Sequence, residues 1–272
     1  MNREKLTKKI AAKTVRPGRL KRLGDFFIGI YDVYKFILRF LKEAFLPPYE
    51  FREIMRQCYE VGVKSLPLIS LTGFITGLVF TKQSRPSLAE FGATSWLPSL
   101  MSIAVIRALA PLVTALICAG KVASNIGAEL GSMRVTEQID AMEVSATNPF
   151  RFLVVTRVIA TTLMVPALAI YTALVGMLGS YLNIHNNELT SFRAFIDSAF
   201  RTISFLDLFS SLLKAVIFGF TVGVAGCFKG YNTSGGTQGV GRAANAAVVV
   251  SMFLIFIEEM IVVQIVNALR PV

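Results

Sequence analysis

The sequence predicts an all-α integral membrane protein with about five transmembrane helices, and three observations predict it. Of its 272 residues 54% are hydrophobic and 17% charged, with a mean hydropathy of +0.60, where an ordinary soluble domain is about 25% charged. Several apolar runs reach the roughly 20 residues that cross about 30 Å of hydrocarbon as helices. Between them stands a conspicuously charged stretch, Gly127–Pro149, with Glu129, Arg134, Glu137, Asp140 and Glu143. Each of these charges would cost roughly 2.5–3.5 kcal/mol near the bilayer centre, so the stretch lies outside the hydrocarbon. One helical membrane domain accounts for the chain, and no room is left for a soluble catalytic domain.

Residues 1–19 carry Arg3, Lys5, Lys8, Lys9, Lys13, Arg16 and Arg19 with no cleavable apolar core behind them. They read as a basic cytoplasmic tail, not a secretory signal. In the segment 20–48, Leu23, Phe26, Phe27, Ile30, Tyr34, Ile37, Leu38, Leu41 and Phe45 recur at helical spacing with basic residues between them. This suits an interfacial amphipathic helix that Pro47-Pro48 ends, although the same stripe also suits a helix packed on a neighbour.

The first span is expected at about Val61–Thr81, kinked at Pro67 and closely packed through Gly62, Gly73 and Gly77. A short loop over 82–97 leads to a second span, Pro98–Ala119, with Arg107 in its interior. If the charged stretch that follows is helical, Ala128, Gly131, Val135, Ile139, Met142 and Ala146 share one face, while Glu137 and Asp140 project from the other. The third span, Phe152–Leu182, is long enough to tilt or to hide a break at Pro166. A polar loop and an amphipathic connection with Arg193, Asp197 and Arg201 precede the fourth span, Leu208–Phe228, and the fifth is Ala246–Val266. The run GGTQGVG at 235–241 reads as a turn before it.

The net charge of +11 belongs to one end, since about half of the 28 Lys and Arg residues precede Ser65. That distribution holds the N-terminus in the cytoplasm and speaks against nucleic-acid binding. Cys58, Cys118 and Cys227 are odd in number and widely spaced, and the lone His185 has no neighbouring ligand, so neither a disulfide framework nor a metal site is expected. No G-x-x-x-x-G-K-[ST] occurs, so the chain has no nucleotide site of that kind, and no nucleophile–base constellation marks an enzyme. Arg107 has to face protein or water. It either meets a lipid phosphate or pairs with a carboxylate such as Glu258 or Glu259 in the fifth span.

Read with its flanks, the charged stretch resembles the MlaE/YrbE permeases, the membrane subunits of ABC transporters that work with MCE proteins. The resemblance rests on GVKSLP at 62–67, LTGFITG at 71–77, Gln83, FGA at 91–93, Arg107 with Pro111 and TALICAGK at 114–121. It continues through GAELGSMRVTEQIDAMEV at 127–144, NPFRFLVVTRVIA at 148–160 and GGTQGVGRAANAAVVVS at 235–251. It covers most of the chain after Gly62. Three positions depart from the pattern: Ala108 stands where Glu commonly follows the arginine, Lys121 where Arg is usual, and Thr156 where Pro often precedes Arg157.

The resemblance implies that residues 49–272 are a permease domain of the bacterial inner membrane and that 127–149 holds a cytoplasmic coupling helix. It implies a homodimer that binds an ABC ATPase at the cytoplasmic face and an MCE-domain protein at the periplasmic face. The cargo would be phospholipid or another hydrophobic lipid, with ATP and magnesium used by the partner and no cofactor bound by this chain. Arg134, Glu137, Gln138 and Asp140 are the expected ATPase-coupling residues. Arg107, Glu258, Glu259 and Leu78 are the expected lipid-path residues, in an apolar pocket enclosed by spans one, two and five of the dimer. The alternative role is a scaffold that anchors the ATPase and MCE subunits without lining the path.

Overall fold

Five helices long and apolar enough to cross a membrane dominate the computed structural model, which describes residues 19–47 and 49–268. The basic tail expected over 1–19 lies outside the described residues apart from Arg19. The chain falls into two units that meet between Phe45 and Leu46. Among the described residues the first holds one helix, α1 (Arg19–Ala44). Its residues Phe27, Tyr31, Tyr34, Leu38 and Leu41 form an exposed apolar stripe at alternating four- and three-residue spacing, and Lys35 reaches over the Tyr31 ring at 5.6 Å.

In the second unit the first span is α2 (Phe51–Val61), a 3-10 turn at Val63–Ser65, and α3 (Leu66–Glu90). Pro67 does not kink it. Pro67 falls in the first turn of α3, where a backbone N–H would have no intrahelical partner to lose. Nor are residues 82–97 a loop. The helix continues to Glu90, and a turn with Gly92 at φ 64° and a 3-10 turn at Thr94–Trp96 then lead into the next span.

Span two is composite: α4 (Leu97–Ala104), a π turn at Val105–Leu109, α5 (Ala110–Cys118), a second π turn at Ala119–Ala123, and α6 (Ser124–Val135). Pro111 accounts for the first π turn and its surroundings. A proline at 111 can supply no N–H to the carbonyl of Arg107 in α register, or of Ile106 in π register. Side chains from span four serve both oxygens: Ser211 Oγ donates to Ile106 O at 2.8 Å and Lys214 Nζ to Arg107 O at 3.4 Å.

The charged stretch is not one helix. α6 ends at Val135, the Thr136 hydroxyl turns back onto Ser132 O at 2.9 Å, and Glu137 takes a left-handed conformation at φ 58° before a short α7 (Gln138–Val144). Ala146, at φ 59°, closes α7 on its other side. The face expected to run from Ala128 to Ala146 is therefore divided at Glu137. Span three follows as a π turn at Phe150–Val155 and α8 (Thr156–Glu188), which passes Pro166 without a break.

At the opposite end of span three, α9 (Phe192–Arg201) is capped by Ser191, whose hydroxyl accepts from Ala194 N at 3.3 Å. A reciprocal cap of Ser204 and Asp207 starts span four, α10 (Phe205–Tyr231). Span five, α11 (Gly236–Ala268), begins ten residues before the expected start, so most of GGTQGVG is helix. The turn is confined to Gly235 and Gly236, at φ 88° and 68°.

Glycines set how closely the spans approach. A Cβ on Gly77 would stand 1.9 Å from the Gly176 carbonyl oxygen, so spans one and three meet backbone to backbone there. Ser180 crosses the same seam to Gly77 O at 3.2 Å. Small residues matter at such contacts because lipid tails are as apolar as leucine, leaving close packing to drive association. Gly77→Ala is expected to destabilise the detergent-solubilised protein by the roughly 1–3 kcal/mol of an overpacked core. Gly120→Ala, whose new methyl would meet only the end of Met252 at 3.8 Å, leaves stability unchanged. Thermal unfolding followed by circular dichroism measures the pair, and equal midpoints would contradict the close seam.

Candidate functional site

Chemistry-bearing side chains gather in two places, one at the α7 end of the bundle and one inside it. At the α7 end, Glu137, Gln138, Asp140 and Glu143 are exposed, Val144 is 90% exposed, and Ile139 is fully buried as the anchor of the short helix. The structure brings two of the sequence-predicted coupling residues together: Arg134 Nη1 and Asp140 Oδ1 are 2.5 Å apart across the Glu137 turn. As a partly exposed pair it contributes at most about 1 kcal/mol, and its effect is to hold α7 against the end of α6. Glu137 and Gln138 project from the corner itself.

Beneath this corner is a residue that the sequence placed only within the motif at 148–160. Arg157, 1% exposed, donates to Glu129 Oε1 at 2.8 Å and to Leu153 O at 2.9 Å. It ties α6 to the start of span three, so the two helices on either side of α7 are braced to each other. Beside them a polar hollow of about 280 Å³ is lined by Arg56, Gln57, Glu60, Lys121, Asn125 and Glu129, with Val61, Val122 and Ile126. Lys121, in the second π turn, bonds Lys64 O and reaches Ser65 Oγ at 3.3 Å, fixing span two to span one.

Within the bundle, spans two, four and five share a polar cluster. Arg107 does not pair with Glu258 or Glu259. Its Nη2 donates to Asn267 Oδ1 at 2.5 Å, and its Nε lies 3.9 Å from Asp207 Oδ1. Lys214, 2% exposed, holds Glu259 at 2.6 Å, while Thr221 donates to Glu258 Oε1 at 2.5 Å. Lys214 and Asp207 were missed from sequence, yet a lone lysine in LFSSLLKAVIF carries the same signal as Arg107: a cation in an apolar run has to find an acid or water. The remaining carboxylate oxygens, Oε2 of Glu258 and of Glu259, are buried without a hydrogen-bond partner. Leu78 is elsewhere, in the seam where span one meets Gly179 of span three.

Such a cluster can present charge to a polar headgroup inside an apolar bundle, and α7 can take hold of a basic or polar partner. Among the described residues no group of three or more His, Cys, Asp or Glu side chains is arranged to hold a metal ion.

The sequence model of the family described as Permease MlaE matches residues 54–265. A probable ABC transporter permease protein of Rickettsia prowazekii is 35% identical over 239 residues, covering 88% of this chain and 91% of the relative. A probable ABC transporter permease protein of Synechocystis is 37% identical over 208 residues, 76% of this chain and 79% of its own length. The chloroplastic protein TRIGALACTOSYLDIACYLGLYCEROL 1 of Arabidopsis thaliana is 33% identical over 225 residues, 83% of this chain and 63% of its length.

Lys214→Met leaves Glu259 without its cation, and breaking a buried pair in this way costs about 3–5 kcal/mol. Lys214→Met combined with Glu259→Leu is expected to recover most of that loss. Thermal unfolding of the solubilised variants measures both, and a double variant as unstable as the single one would overturn the pairing.

Proposed function

The chain belongs to the MlaE permease family and is a membrane-embedded ABC transporter permease that works with a separate ATPase subunit, and from that premise we propose that it forms the lipid path of an ATP-driven phospholipid transporter. The observation that carries the energy-coupling half of this reading is the braced corner at Glu137. A non-glycine residue in the left-handed region costs about 1–2 kcal/mol, and strain of this kind is retained where the surroundings hold it for function. Here Arg134–Asp140 and buried Ile139 hold it, and the result is an outward acidic tip joined to span two, which Arg157–Glu129 in turn ties to span three. An ATPase gripping Arg134, Glu137, Gln138 and Asp140 would move those two spans together.

The transport half rests on the intramembrane cluster and on the relatives. Arg107, Glu258 and Glu259 supply a polar level in apolar walls, suited to a headgroup, and the Arabidopsis relative carries a glycerolipid in its name. Spans one and five are the least enclosed, each 22% buried against 56% for span four. Leu68, Leu71, Ile75 and Val79 on the one, and Val249, Phe253, Phe256 and Met260 on the other, are exposed at helical spacing. Those stripes suit a second copy of this chain, and a homodimer would enclose the lipid cavity between its spans one, two and five. In this reading the α7 end faces the cytoplasm of a bacterial cell, and the N-terminus is cytoplasmic. An MCE-domain protein receives or delivers lipid at the other face of the inner membrane. ATP and magnesium belong to the ATPase.

Glu137→Lys with Asp140→Lys is expected to release the ATPase in a pull-down from membranes in which the permease is inserted at its usual level. Glu137→Gly relieves the left-handed strain, so it raises the thermal stability of the permease while weakening ATPase retention. Full retention by the double reversal would count against docking at α7. In proteoliposomes holding the whole transporter, Arg107→Gln with Glu258→Gln keeps the Lys214–Glu259 pair and is expected to abolish lipid movement with the assembly intact. Normal transport by that variant would remove the cluster from the path.

A further inference from the structure

A separate apolar feature lies at the α9 end of the bundle. Between spans two and three, roofed by α9, is a hollow of about 210 Å³ whose walls are wholly apolar. Ile106, Leu174, Met177 and Leu178 form its floor and sides, and Phe192 and Ile196 of α9 close it from above. The roof is fixed in place. Phe195, 1% exposed, and Ala199, fully buried, pack with Met177, Met101 and Val105, while Ser99 Oγ bonds Ser198 O at 3.0 Å.

The opposite side of α9 is charged. Arg201 is tied to Asp197 at 2.8 Å, but Arg193 is exposed and has no ion-pair partner among the described residues. Arg193 lines an adjoining open hollow that shares Phe192 and Ile196 with the apolar one. An apolar slot and a free guanidinium therefore sit on either side of the same two side chains. That is the arrangement of a phospholipid at a membrane boundary, with chains inward and the phosphodiester at the surface.

We propose that the hollow beneath α9 binds one phospholipid of the adjacent leaflet, an acyl chain lying between spans two and three and the phosphodiester meeting Arg193. Ordinary lipid contact does not require this geometry. Leu163 and Leu71 are exposed to 58% and 60% on span surfaces, yet neither lines this roofed hollow. The site is separate from the Arg107–Glu259 cluster and requires neither transport nor an ATPase.

The full chain in lipid nanodiscs, with phosphatidylglycerol carrying a photoreactive diazirine in one acyl chain, tests it by mapping crosslinked peptides. Crosslinks are expected to concentrate on residues 173–178 and 192–200 above those at Leu71 and Leu163. Arg193→Gln lowers them about fivefold, the factor one cation near an anionic surface contributes, and leaves labelling by a diazirine diacylglycerol unchanged. Ala173→Phe, which fills the slot, lowers both. Labelling no denser than at Leu71 and Leu163, as annular lipid or a covering protein chain would give, overturns the site. So does phosphatidylglycerol labelling that ignores Arg193→Gln.

Discussion

A bilayer offers no water to a backbone carbonyl, so every carbonyl that loses its helical donor has to find one inside the protein. Pro111 creates that need in the middle of span two, and much of the bundle follows from how it is met. Ser211 and Lys214 of span four turn toward Ile106 O and Arg107 O. Lys214, once drawn into the interior, requires an acid, and Glu259 of span five supplies it. A missing N–H on one helix thereby fixes the level and rotation of two others. Arg107, in the π turn beside that proline, reaches toward Asp207 and Asn267 at the outer ends of the same two helices.

The remaining interfaces are held by shape more than by charge. Gly77 against Gly176 joins spans one and three, Gly219 and Gly223 meet Thr161 between spans four and three, and Gly230 lies against Gly127 between spans four and two. Contacts this close leave little freedom for one helix to slide on another. At the α7 end the bracing changes to ion pairs at the bundle's edge, Arg157–Glu129 and Arg134–Asp140. Arg134–Asp140 joins α7 to α6, and Arg157–Glu129 joins α6 to span three.

Much of the fold was legible because its largest signal is apolar length: the five runs read from sequence each fall within one observed span. What misled was local chemistry with two readings. Pro67 breaks a helix in its interior but starts one at its first turn, and sequence alone does not say which carbonyls have already been passed. Pro86 and the polar residues around it read as a loop, yet the helix runs through them to Glu90. Lys214 and Asp207 aside, the cluster was legible in Arg107, Glu258 and Glu259. Its pairing was not, because a partner in space is a matter of helix rotation: Glu259 lies 45 residues from Lys214. The corner at Glu137 was hidden for a different reason, since left-handed backbone at a glutamate has no compositional signature.

The first three spans run for 40, 42 and 39 residues, about 60 Å each at ~1.5 Å per residue, roughly twice the hydrocarbon thickness. Hydrophobic mismatch is set by the apolar stretch within each helix, not by its full length. The remaining turns carry charged residues such as Lys82 and Glu188, which are costly to bring into hydrocarbon. The ends of the apolar stretches, and not the charges buried among Arg107, Lys214 and Glu259, then decide how deep the molecule rides.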